Sequence, residues 1–223
     1  MKIPGLYAIL DASFFPDTSA VVAAAQELVA GGCTLLQYRN KAGNARLVLE
    51  QAGELRRSFP RRRNSSVSET GRDSGHATSN GSVRLIMNDR ADLCLAADFD
   101  GVHVGQDDLS PTSVRAIIGP DRRLGVSTHN PEQLRVADLT SADYLAIGPV
   151  FATSSKEKPD PVVGLEGVRR ARALTGKPLV AIGGITRGNA ASVIAAGADS
   201  VAVISDLVRE PRRSAEEFFR ILG

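Results

Sequence analysis

The chain has little sulfur and few aromatic rings: two cysteines, Cys33 and Cys94, no tryptophan, and 4% aromatic residues among 223. Two cysteines, far apart and each beside an apolar run, cannot build a disulfide framework or a zinc knuckle, and both read as small buried hydrophobes. So few aromatics leave no stacking platform for nucleic-acid bases and no aromatic face for sugars. Net charge is also nearly absent, since 27 basic residues face 25 acidic ones for a formal +2. No nucleic-acid partner is expected from that balance, and any anion must be gripped by a local cluster. No apolar stretch approaches the roughly 18 residues of a membrane span, so no membrane contact is expected either. The start, Met1-Lys2-Ile3-Pro4-Gly5, shows no basic-then-apolar leader, which points to a cytoplasmic location.

A regular rhythm runs through the chain. Eight short apolar runs, at 6–10, 35–38, 85–87, 101–104, 124–126, 144–147, 179–182 and 201–204, alternate with eight stretches of helical apolar spacing, at 19–30, 45–59, 92–97, 112–118, 131–137, 165–174, 189–196 and 215–222. Runs such as Leu179-Val180-Ala181-Ile182 lack polar alternation, as strands buried on both faces do. Gly31-Gly32, Gly119, Gly176 and Gly197 stand where helices should stop, and Pro111 and Pro131 where a first turn tolerates a missing N–H. The expected fold is α/β, a single-domain (β/α)8 TIM barrel over residues 1–223. Segment 61–82, rich in Arg, Ser, Gly, Thr and Asn, breaks the rhythm. It reads as a mobile polar insertion on the N-terminal face, and its start, Arg61-Arg62-Arg63, as a solvated charge run.

In such a barrel the C-terminal strand ends converge on one mouth, so the polar clusters that follow the runs become neighbours. After the second run, alternation puts Gln37, Arg39 and Lys41 on one side: two cations suited to a polyphosphate and an amide able to read a heterocycle. After the third and fourth come Asn88-Asp89 and Gly105-Gln106-Asp107-Asp108, where Asp89 with Asp108 could share a substrate-borne Mg²⁺. Asp89 as a helix N-cap is the competing reading, and Asp107 could cap or bridge. The fifth run delivers Gly125-Val126-Ser127-Thr128-His129 without a nucleophile elbow, so Ser127 reads as a phosphate ligand rather than a nucleophile. His103 is expected to pack. The sixth leads into a polar loop carrying Thr153, Ser155 and Lys156, able to fold over a ligand as a lid. Gly183-Gly184 and Ile204-Ser205 follow the seventh and eighth, where this fold commonly cradles a phosphate.

Taken together, these clusters resemble the thiamine phosphate synthase (thiamine-phosphate pyrophosphorylase) family, over nearly everything except 61–82. The family's Gln-x-Arg-x-Lys, Asn-Asp and Gly-x-Ser-x-His motifs stand here as Gln37/Arg39/Lys41, Asn88/Asp89 and Gly125/Ser127/His129. The resemblance implies a transferase of thiamine biosynthesis with two small-molecule substrates, a hydroxymethylpyrimidine diphosphate and a hydroxyethylthiazole phosphate. It further implies Mg²⁺ on Asp89 and Asp108, and Arg39, Lys41, Asn88, Ser127 and Lys156 around the departing pyrophosphate. Gln37 would orient the pyrimidine, and Thr153, Ser155, Gly184, Ile204 and Ser205 would hold the thiazole phosphate. Arg39, Lys41, Ser127 and Lys156 are the expected catalytic set. Two rivals remain at this stage: a thiazole tautomerase-like barrel with His129 as acid and base, and a non-catalytic phosphate-ligand sensor. Barrels often dimerise, so a homo-oligomer is compatible with the sequence.

Overall fold

A computed structural model of the chain describes residues 3–61, 82–153 and 160–223. Its strands are β1 Leu6–Asp11, β2 Leu35–Arg39, β3 Arg84–Asn88, β4 Gly101–Val104, β5 Arg123–Thr128, β6 Tyr144–Ile147, β7 Leu179–Ile182 and β8 Ser200–Val203. All neighbours pair in parallel, and β8 closes on β1. The helices are α1 Thr18–Ala30, α2 Ala45–Ser58, α3 Ala91–Ala96, α4 Pro111–Ile118, α5 Pro131–Asp138, α6 Gly164–Leu174, α7 Ala190–Ala195 and α8 Pro211–Leu222. The expected eight-stranded α/β barrel is the observed one. Among the described residues no helix is long and apolar enough to cross a membrane.

Local chemistry sets the helix starts. Asp17, Asn44, Ser110 and Asn130 each accept a hydrogen bond from a backbone N–H three residues on, at 2.8–3.1 Å, satisfying a donor the helix itself cannot. Pro111 and Pro131 take the first helical position, as expected. α8 begins at Pro211, four residues before the apolar spacing shows it. Its first turn is covered by exposed ion pairs such as Arg213 with Glu217, which carry no hydrophobic signal.

Strand alternation divides the core in two. One side of each strand packs outward under the helices, while Tyr7, Ile9, Leu35, Ile86, Tyr144, Ala146, Val180 and Ala202 fill the barrel. Cys33 and Cys94 lie in the outer layer, both buried, and burial pushes each thiol up to about 12, so they act as hydrophobes.

The N-terminal face carries a threefold repeated lock. Asp100, Asp143 and Asp199, each just before an even-numbered strand, accept the backbone N–H of Leu85, Leu124 and Leu179 at 2.7–2.9 Å. The same carboxylates pair with Arg56, Arg115 and Arg172 from the even-numbered helices, at 2.7–2.8 Å. Arg61 belongs to this face too, 3.2 Å from both Asp98 and Asp100. Arg61 is exposed, as expected of that run, and takes part in surface ion pairs. The rest of the expected insertion, 62–81, lies outside the described residues.

Candidate active site

The inward parity that places Tyr7 and Ile9 in the barrel carries β1 to Asp11 and β2 through Gln37 to Arg39 at the mouth. Registers of Ile9 with Gln37 and Asp11 with Arg39 put these pairs side by side. Asp11, only 3% exposed, forms an ion pair with Arg39 and also accepts from the Ser13 backbone and hydroxyl, at 3.0 and 2.8 Å. The guanidinium is thus fixed by a buried carboxylate that the sequence motifs did not single out. Its signal was available, since Asp11 is the polar residue closing the first apolar run.

Next along the rim stand the carboxylates. Asp89 follows β3 with φ at 62°, a left-handed conformation costly for a non-glycine residue. Its carboxylate does not cap α3, whose N-cap is Arg90 without a side-chain bond, so the capping alternative falls. Instead Asp89 lies 2.5 Å from the ammonium of Lys41, which is more than half exposed. Burial raises the Asp89 carboxyl above its ordinary range; Lys41 lowers it, and the charge and hydrogen bond of neighbouring Asp108 raise it again. Asp108 accepts from the Gly105 N–H at 2.8 Å, while Asp107 is exposed and does not cap α4, whose N-cap is Ser110. Two carboxylates and one mobile cation therefore share a corner, with Asn88 beside them on the strand.

β5 presents Ser127 inward, but its hydroxyl bonds Nε2 of His103, at 2.8 Å, and not His129. The His129 ring turns to the Gly148 carbonyl at 2.7 Å, with Asp160 3.5 Å away. Ser127 and His129 are therefore not a nucleophile-and-base pair. His103 packs as expected, though in a polar setting: Nδ1 lies 3.1 Å from the Tyr144 hydroxyl. Burial pushes its imidazole down to about 4 from an ordinary 6.5. The unfolded chain thus binds more protons between those values, so stability falls as pH drops through that window. His103→Gln should reduce the loss between pH 6.5 and 4 by up to roughly 3 kcal/mol, read by denaturant unfolding at several pH values.

The opposite rim is built on glycine. Gly183 and Gly184 have φ of 98° and 64°, and a Cβ on Gly184 would meet the Ala152 carbonyl oxygen at 2.5 Å. The sixth and seventh loops thus touch at Ala152 and Gly184, one residue before Thr153. Behind them Arg187 ties to Asp206 at 3.0 Å, joining the loop after β7 to the single 3-10 turn, Ser205–Leu207, that follows β8. β8 stops at Val203, so Ile204 and Ser205 stand at the rim rather than in the strand. Ser155 and Lys156, with the rest of the expected lid at 154–159, lie outside the described residues.

The chain is similar to known proteins over nearly its whole length. A Koribacter versatilis thiamine-phosphate synthase is 56% identical over 100% of this chain and 97% of its own. A Chloroflexus aurantiacus thiamine-phosphate synthase is 42% identical over 91% of this chain and 84% of its own. Among solved structures, a thiamine phosphate pyrophosphorylase from Pyrococcus furiosus superposes with a TM-score of 0.79 at 32% identity, covering 97% of this chain and 94% of that one. The family profile described as thiamine monophosphate synthase matches residues 6–207, and the chain belongs to that family.

Proposed function

We propose that the chain joins 4-amino-2-methyl-5-hydroxymethylpyrimidine diphosphate to 4-methyl-5-(2-hydroxyethyl)thiazole phosphate, giving thiamine phosphate and pyrophosphate, as a cytoplasmic transferase. The C–O bond breaks first and its electron pair leaves with pyrophosphate. The thiazole nitrogen then donates its lone pair to the pyrimidine methylene cation. No proton is removed in either step, which suits a mouth where Ser127 and His129 are not paired.

The observation that carries the reading is the corner of Asp89, Asp108 and Lys41. Among the described residues no cluster of three metal-binding side chains exists. Mg²⁺ needs only one or two protein carboxylates when substrate phosphates supply other oxygens, so Asp89 and Asp108 fit a substrate-borne ion. The Lys41 ammonium against Asp89 supports reading this corner as one that takes a cation. Mg²⁺ bound there would add positive charge opposite the leaving pyrophosphate. Arg39, held by Asp11, and Lys41, Asn88 and Ser127 donate to its oxygens as charge develops. Lys156 joins them from the sixth loop, Gln37 orients the pyrimidine, and Thr153, Ser155, Gly184, Ile204 and Ser205 receive the thiazole phosphate.

The test is direct: purified protein with both substrates should form thiamine phosphate and pyrophosphate in equal amounts, dependent on Mg²⁺. Binding of a substrate without product would favour a phosphate-ligand sensor. A second test isolates the thiazole side. Gly184→Val cannot keep its backbone conformation or its contact with Ala152, and should raise KM for the thiazole phosphate by about tenfold or more while KM for the pyrimidine diphosphate moves little.

A further inference from the structure

Inside the barrel, five side chains from five strands form one unbroken hydrogen-bonded chain. Gln37 Nε2 donates to the Tyr7 hydroxyl at 2.9 Å, Tyr7 meets the Tyr144 hydroxyl at 2.9 Å, Tyr144 meets His103 Nδ1 at 3.1 Å, and His103 Nε2 meets Ser127 Oγ at 2.8 Å. Space for it is made by Gly125, where a Cβ would lie 2.1 Å from Tyr144 Cζ and 2.4 Å from His103 Nδ1. The chain runs from the residue assigned to the pyrimidine to one assigned to the pyrophosphate. Tyr7, Tyr144 and His103 have no role in the mechanism above.

Such a chain can point only one way at a time. Tyr7, Tyr144 and His103 are buried, each His103 ring nitrogen faces a hydroxyl, and among the described residues no carboxylate pairs with that ring, so all three stay neutral and the imidazole carries a single N–H. Phosphate oxygens only accept. With pyrophosphate at Ser127, the serine must donate to it, so its oxygen accepts from His103 Nε2–H. His103 Nδ1 is then bare and accepts from Tyr144, Tyr144 from Tyr7, and Tyr7 from the Gln37 NH₂ group. Gln37 consequently offers its carbonyl oxygen to the ligand, and among the described residues that oxygen accepts no other hydrogen bond.

Resting on the proposed function, we infer that this chain makes Tyr7, Tyr144 and His103 positioning residues that fix the Gln37 amide, so that the anion at Ser127 selects an aminopyrimidine over its 4-oxo analogue. An amino group donates to the Gln37 carbonyl; an oxo group in its place would confront it, lone pair to lone pair. A glutamine free to flip would accept both.

Two measurements test this. In wild-type protein with Mg²⁺ and inorganic pyrophosphate, ¹⁵N NMR should show His103 as the Nε2–H tautomer, assigned by its loss in His103→Gln; an Nδ1–H tautomer would overturn the inference. Tyr7→Phe and Tyr144→Phe, which keep the shape and break the chain, should each lower the kcat/KM preference for the amino over the oxo diphosphate by about tenfold. An unchanged preference in both variants would overturn it as well. The two layers fail separately: absence of thiamine phosphate from wild-type protein strikes the functional reading, while the tautomer is read without turnover.

Discussion

Asp108→Ala is expected to lower Mg²⁺-dependent pyrophosphate release by about 10²-fold or more, the scale typical of removing a charge-stabilising group. Asp108 is one of the two carboxylates proposed to hold the metal, and Asp89 alone would be left already engaged with Lys41. The fold should tolerate the change, because the Gly105 hydrogen bond is on a half-buried loop and is worth about 1 kcal/mol, while Asp89 is relieved of a neighbour that raises its carboxyl. Steady-state kinetics across a Mg²⁺ titration, beside an unfolding curve, checks both halves. A barrel doing metal-free proton transfer through His129 would barely respond, and the His129 ring, turned to Gly148, gives that rival no support.

Arg39→Ala should act on stability and turnover together. It strands the Asp11 carboxylate, 3% exposed, with only Ser13 as donor, and breaking a buried pair in this way costs about 3 kcal/mol. It also takes a guanidinium from the leaving group, for a further loss of about 10²-fold or more in kcat. Asp11→Asn combined with Arg39→Gln separates the effects, since it removes both charges at once. Much of the stability should return while turnover stays low. Recovery of both would reduce Arg39 to a structural partner of Asp11.

The barrel was legible because parallel strands buried on both faces leave uninterrupted apolar runs, and caps and prolines mark the helices between them. The rim was legible where a charged or polar residue follows a run, as Arg39, Asp89 and Asp108 do. The residues missed lie within or at the close of such runs. Tyr7 and Tyr144 look like ordinary core, and Asp11 like a strand terminator. Only strand parity, which sends Tyr7, Asp11, Gln37, Arg39, Gly125 and Ser127 to the same interior, gathers them into one wall. Parity could have been counted from the sequence, but the register that pairs Gly125 with Tyr144 could not. Arg61 shows the complementary limit. Its partners Asp98 and Asp100 are about 40 residues away and meet it only through the closed N-terminal face.

The mouth is proposed to divide, with diphosphate and metal on strand ends two to six and the thiazole phosphate at seven and eight with part of the sixth loop. A crystal structure with Mg²⁺ and pyrophosphate bound tests it most directly. The ion should sit on Asp89 and Asp108, with Lys41 moved from Asp89 to a pyrophosphate oxygen and Arg39 and Ser127 donating to the same anion. Pyrophosphate found instead against Gly184 and Ser205, with Lys41 still paired to Asp89, would contradict the account.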